Sequence, residues 1–195
     1  MRRGYFAADL GATQFAQPAA VDLLRSLRPG EHNGSAEQGR EAILLAATDP
    51  ANPYGTLLRW PVAPADPGAD TASTLTRSVG ARVILIDGAL TAYLRRGNPN
   101  LQVLLPEEEP ARGNSMRALA EFLVQIVQRA EAEAGHDRRG TGMLITTVNG
   151  TLVAEHALAR ALLDAGFQAA PMGFNVRRNL PPVPGRGASA LPAQT

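Results

Sequence analysis

Two apolar runs on either side of Asp87-Gly88 constrain this chain more than any other stretch. Val79–Arg96 reads VGARVILIDGALTAYLRR, with strand-like residues at Val83–Ile86 and again at Leu90–Leu94. A type I′ turn needs φ > 0 at both central positions, and Asp-Gly adopts it readily, so the stretch predicts an antiparallel hairpin. The first run is apolar throughout, as expected of a strand covered on both faces. The second mixes Leu90, Ala92 and Leu94 with Thr91 and Tyr93, which predicts a strand nearer a sheet edge.

The same reading extends in both directions. Tyr5–Ala7 and Thr13–Ala16 predict two short strands around a turn at Asp9–Ala12. A short helix follows over Ala19–Leu27, with Val21, Leu24 and Leu27 on one face. Ile43–Ala47 reads as a buried strand. Asp49-Pro50 and Asn52-Pro53 then force a turn, because residues before proline avoid helical dihedrals, and Thr56–Trp60 resumes in extended form. Leu101–Leu105 is a third strand after the hairpin. Asn114 or Ser115 can cap a long helix whose Met116, Leu119, Leu123, Val127 and Ala130 make an apolar stripe through about Ala134. Met143–Val148, Asn149-Gly150 and Thr151–Val153 predict a second hairpin, Glu155–Ala165 a helix ended by Gly166, and Phe174–Val176 a last strand.

The expected fold class is therefore α+β: antiparallel β hairpins forming a small sheet or barrel with two or three packed helices. Residues 65–78, rich in Pro, Ala, Asp, Gly, Ser and Thr, read as a surface linker, and 179–195 as a disordered tail.

Composition removes several chemistries. The chain has no cysteine, so it offers no disulfide, thiolate nucleophile or cysteine-ligated metal. Its nineteen cationic side chains are all arginine. A P-loop needs a lysine to reach the nucleotide phosphates and a Schiff-base enzyme needs one as nucleophile, so this chain supplies neither. His32, His136 and His156 are scattered and form no ligand pair of helical spacing, and no metal site is expected. No apolar run approaches a membrane span and the N-terminus has no apolar signal region, so the cytoplasm is the expected location and no membrane a partner. The formal net charge is +1, far from that of a strongly basic nucleic-acid protein. Residues 106–140 carry seven acids against five arginines, and residues 141–195 four arginines against two acids, a mild basic bias toward the end of the chain.

Four stretches taken together resemble the C-terminal accessory region of the large helicase-related (Lhr) family of bacterial superfamily 2 DNA helicases. They are RGYFAADLGATQ at Arg3–Gln14, LAATDPANPYG at Leu45–Gly55, VGARVILIDGALTAYL at Val79–Leu94 and AGFQAAPMG at Ala165–Gly173. The resemblance runs to about Arg178, and LAATDPANPYG is its most specific part. Two positions depart from the family pattern: Gln17 where an apolar residue is expected, and Met172 where a lysine and its phosphate contact would stand.

The resemblance implies tandem winged helices plus a β-barrel, a layout similar to AlkZ-type DNA glycosylases. On that basis residues 1–30 would be the remnant of a winged-helix module beginning in its wing, and 31–64 and 79–178 the β-barrel-like α+β module. It implies a chain that is a gene fragment or split reading frame. The family's motor lies upstream, so ATP and magnesium would belong to absent domains and no cofactor is expected here. The implied function is that of a non-motor module of an ATP-dependent DNA helicase, acting in DNA binding, positioning or assembly during DNA repair. Its partners would be single-stranded or duplex DNA and the motor and winged-helix modules in cis or in trans, with a possible homo-oligomer. The alternatives are a fragment of an AlkZ-like DNA glycosylase and a structural oligomerisation domain without DNA contact.

Candidate DNA-binding residues are Arg3 beside the implied wing, Arg59-Trp60, Tyr93 with Arg95 and Arg96, and Arg177. Arginines there fit phosphates, and Trp60 and Tyr93 fit base stacking. Each has a plainer reading: a solvated terminus for Arg3 and Arg177, a charged sheet edge for Arg95 and Arg96, and a core tryptophan for Trp60. A glycosylase site needs a carboxylate or polar group to position water. Asp9, Asp49 and Asp87 are the acids in the family-like stretches, yet turn chemistry accounts for all three. No catalytic residue is assigned.

Overall fold

The computed structural model describes residues 1–6, 13–26, 40–61, 75–134 and 142–176, with side chains of 131–134 left aside. Strands β1 (Arg2–Gly4) and β2 (Gln14–Ala16) pair antiparallel, with Arg3 opposite Phe15, and lead into helix α1 (Pro18–Ser26). The first strand lies three residues earlier than the expected Tyr5–Ala7, and Ala7 and the turn at Asp9–Ala12 fall outside the described residues. Of the predicted apolar face of α1, Val21 is buried while Leu24 is exposed, a correction to the expected stripe.

The main sheet has six strands in the order β3 (Ala42–Ala46), β4 (Ala81–Ile86), β5 (Ala89–Arg95), β6 (Asn100–Val103), β8 (Thr147–Val148) and β9 (Thr151–Leu152). Its first four pair antiparallel with one another. The turn between β4 and β5 has Asp87 at φ 49° and Gly88 at φ 78°, as the Asp-Gly dipeptide requires. β5 is a central strand, which corrects the edge reading: Thr91 and Tyr93 are both buried. A register shift between Ile84 and Leu85 leaves Thr91 as the extra residue of a bulge. Leu90 consequently joins Val83, Leu85 and Tyr93 on one face, while Ala92 stays with Ile84 on the other.

That second face is covered by the long helix α2 (Ala111–Ala134) and by α3 (Ala159–Ala165). Leu119, Leu123 and Val127 of α2 and Leu158 and Leu162 from the α3 region close over Ile84, Ile86, Leu101 and Val103. Each fully buried leucine here contributes about 1.5–3 kcal/mol. α2 begins before the expected caps. The Glu109 carboxylate accepts the Gly113 N–H at 3.0 Å, satisfying a first-turn donor, and Ser115 is carried into the buried face instead.

Beyond α2 the chain divides between sheets, where one continuous strand was expected over Met143–Val148. β7 (Met143–Ile145) pairs with β11 (Gly173–Val176), and β11 with β10 (Gln168–Ala170), in a three-stranded antiparallel sheet. β8 (Thr147–Val148) instead runs parallel to β6 and forms a hairpin with β9 (Thr151–Leu152) through Asn149-Gly150, both at positive φ. The helix expected from Glu155 starts at Ala159, and Gly166 at φ 114° ends it. Among the described residues the sheets are open, so the architecture is α+β with no closed barrel.

Candidate nucleic-acid interface

One end of the six-stranded sheet gathers most of the candidate residues. β3 finishes there, β4 begins there at Ala81 opposite Arg95, and Ala46 lies opposite Arg82. The Arg96 N–H closes the same end onto the Gly80 carbonyl at 3.0 Å. Asp87 and its turn are at the opposite end of the hairpin.

Residues 47–61 leave β3 at this end, and Leu75–Ser78 return to it. The turn within residues 47–54 is built on two polar side chains. Asn52 is fully buried; its amide donates to the Ala47 carbonyl at 2.8 Å and its oxygen accepts the Tyr54 N–H at 3.2 Å. Arg77 then grips the loop from across the chain. Its Nη1 donates to the carbonyls of Asn52 and Tyr54 at 2.8 and 3.1 Å, and Nη2 to those of Thr48 and Asp49 at 3.0 and 3.1 Å. A planar guanidinium can serve four carbonyls at once; an ammonium cannot. Proline-rich backbone that would otherwise lack partners is thereby satisfied.

Asn52-Pro53 is legible in the sequence as a turn former, whereas nothing in the sequence marks Arg77. Arg77 sits at the end of the stretch read as a surface linker, and there Leu75 is in fact buried against the sheet and Arg77 is half-buried. The extended run expected over Thr56–Trp60 is a tight turn joined by a single bridge between Tyr54 and Leu58.

The loop presents its aromatics to β5. Trp60 stacks on Tyr54 at 6.0 Å between centroids and 25° between planes, and meets Tyr93 edge-on at 5.9 Å and 83°. Tyr93 is fully buried, with its hydroxyl donating to the Thr76 carbonyl at 3.0 Å. A buried ring offers no face to a base, so Tyr93 is corrected from stacking platform to support. The Arg95 guanidinium lies 5.7 Å from the centre of its ring, and Nε donates to its hydroxyl at 3.4 Å. Burial, the strongest single influence, pushes the phenol up, but hydrogen bonds with Ser78, Thr76 and Arg95 more than offset it and leave it below the ordinary tyrosine value.

The structure thus joins Trp60, Tyr93 and Arg95 in one cluster, with exposed Arg59 and Arg96 beside them in sequence. Trp60 is half-buried, between the core and wedge readings. Arg82 is the exposed member of β4 and belongs to the same end. Arg3 stands apart on the two-stranded sheet, 3.5 Å from the Thr13 hydroxyl, and Arg177 falls outside the described residues. Ion pairs among the described residues lie elsewhere, at Arg25–Asp22, Arg40–Asp87 and Arg160–Asp164.

The acids considered for catalysis are engaged locally. Asp87 accepts the Glu41 N–H at 3.0 Å and pairs with Arg40 at 3.2 Å, tying the turn to the start of β3. Asp49 accepts the Ala51 N–H at 2.8 Å within its own turn. Asp9 falls outside the described residues. No helix among the described residues is long and apolar enough to cross a membrane.

A two-stranded hairpin and helix α1 thus precede an α+β module. Residues 1–36 match the family model of the large helicase-related protein winged-helix domain. Over 190 residues the chain is 37% identical to the Lhr helicase/probable uracil glycosylase of Mycolicibacterium smegmatis, covering 90% of this chain and 11% of that protein. Over 175 residues it is 32% identical to the Lhr helicase/uracil glycosylase of Escherichia coli, covering 89% of this chain and 10% of that protein. The chain belongs to the C-terminal region of the large helicase-related family. It spans about a tenth of the length of these curated relatives.

Proposed function

We propose that this helicase-associated module binds DNA at the arginine-bearing end of its six-stranded sheet and positions it for a helicase motor carried in cis or in trans. The observation that supports the reading is the gathering of Arg59, Arg77, Arg82, Arg95 and Arg96 at one end of a chain whose formal net charge is only +1. Among the described residues Arg59, Arg82 and Arg96 pair with no carboxylate, while Arg77, whose donors are taken up by four backbone carbonyls, adds only its charge to the same end. ATP and magnesium would be held by the motor. A role in repair follows from the same reading, because the relatives are helicases named also for uracil excision.

Fluorescence anisotropy with labelled single-stranded and duplex DNA across a salt series tests it. Binding whose logarithm falls linearly with the logarithm of salt is expected, because phosphate neutralisation releases counterions. A folded chain that binds neither form at low salt would refute DNA contact and leave an assembly role, in which this domain joins copies or neighbouring modules.

The relatives' names favour a second reading, that the module takes part in DNA glycosylase chemistry. Asp49 and Asp87 are committed to their turns, so the reacting carboxylate would come from another residue of the family-like segments or from a neighbouring module. Incubation with uracil-containing DNA, followed by alkaline cleavage at abasic sites, distinguishes the two.

A further inference from the structure

We infer that the depression formed by residues 55–60 is a site for one unpaired nucleobase with its phosphate, so that this end of the module prefers single-stranded to duplex DNA. The inference rests on the DNA-binding reading above and names the ligand of that surface. The depression has a volume of ≈ 450 Å³ and is lined by Gly55, Thr56, Leu57, Leu58, Arg59 and Trp60. The volume falls within the range of about 300–1,000 Å³ for sites of small organic ligands, and because the depression is open to solvent it suits one face of a ligand rather than enclosing it.

Its wall is prepared before any ligand arrives. Trp60 is held by Tyr54 on one side and by the edge of buried Tyr93, so its indole has little freedom left to lose on binding. The indole also lies against the Gly55 backbone, where φ is 77° and a Cβ would overlap the ring. The part of Trp60 that remains exposed opens into the depression, and Leu57, 68% exposed, forms an apolar lip. Every base has a π face, so a fixed indole stacks on any of them without reading sequence. Arg59 precedes Trp60 in sequence, lines the same depression and is exposed, and it supplies the cation for the phosphate of a stacked nucleotide. A base inside a duplex is already stacked on both faces, and only an unpaired one can enter.

Trp60 is the chain's single tryptophan, so its own emission reports the site. The intact chain is titrated with oligothymidylate, with an equally long strand of abasic residues and with a duplex, while anisotropy of each labelled DNA is recorded in parallel. Oligothymidylate is expected to quench Trp60, whereas the abasic strand binds through phosphates without quenching and the duplex quenches least. Trp60→Ala is expected to weaken oligothymidylate binding roughly 5- to 100-fold while changing duplex binding far less. Trp60→Phe keeps an aromatic ring and should retain part of the affinity, a measurement that stands even if the alanine variant unfolds. Binding of oligothymidylate without quenching, or equal quenching by the abasic strand, overturns the base site and leaves DNA binding intact. Failure of every DNA to bind overturns both.

Discussion

Arg77 donates to the Asn52 carbonyl at 2.8 Å across 25 positions of sequence, and this contact ties the turn after β3 to the stretch that leads into β4. The same guanidinium reaches three further carbonyls of the turn. Together with buried Asn52, this cation shapes the turn that carries Tyr54 and Trp60 to β5.

Arg77→Ala should destabilise the fold by roughly 1–3 kcal/mol, the range for losing hydrogen bonds to a charged donor where water can partly replace it. Arg77→Lys should recover less than half, because an ammonium cannot fork to four acceptors. Urea unfolding of the three proteins checks both. Equal stability of the lysine variant and the parent would show that charge alone suffices.

At Gly55 two penalties coincide. Gly55→Ala places a side chain at φ 77° and drives its Cβ into the Trp60 indole. A cost of about 1–3 kcal/mol is expected, in line with strained left-handed backbone. The emission of Trp60 should shift to the red as the ring is displaced into water. An unshifted spectrum in a folded variant would mean that the indole is not seated on the backbone.

Asn149 acts as a strand that is not there. Its side-chain oxygen accepts the Val103 N–H at 2.8 Å and its amide donates to the Val103 carbonyl at 3.0 Å. Asn149→Gly keeps the positive φ of 53° but loses both bonds, and should cost about 1–3 kcal/mol. Asn149→Ala adds backbone strain to the same loss and should be worse. Thermal melts of the pair separate the two effects.

Charge removal at the arginine-bearing end has a quantitative signature. Arg96→Ala should make the salt slope shallower by about 0.7 for single-stranded DNA or about 0.9 for duplex, if its guanidinium neutralises one phosphate. Arg160→Ala, whose cation is paired with Asp164 at 3.0 Å, should leave the slope unchanged. Equal slopes for the two variants in an anisotropy salt series would remove Arg96 from the interface.

The local elements were legible where the signal itself is local. Asp87-Gly88 and Asn149-Gly150 fixed their turns because few residues tolerate positive φ, and Leu119, Leu123 and Val127 marked the buried stripe of α2 by their spacing. The cap of α2 was misplaced because Glu109 does its work from outside the helix, a geometry that no preference for Asn or Ser encodes. The strand over Met143–Val148 was read as one unit because nothing in six residues says that β7 and β8 bond to different sheets.

The candidate site divides along the same line. By itself the sequence determined which residues could meet DNA, since arginine and aromatic side chains are the chemistry that phosphates and bases require, and it determined the α+β class through its turns and periodicities. Only the tertiary structure decided which of those residues act together. Tyr93 became a support because β5 lies in the middle of the sheet, and the depression beside Trp60 exists because residues 55–60 turn back on themselves. Arg77 became the clamp because its partners are backbone carbonyls, which every residue carries and no sequence pattern announces.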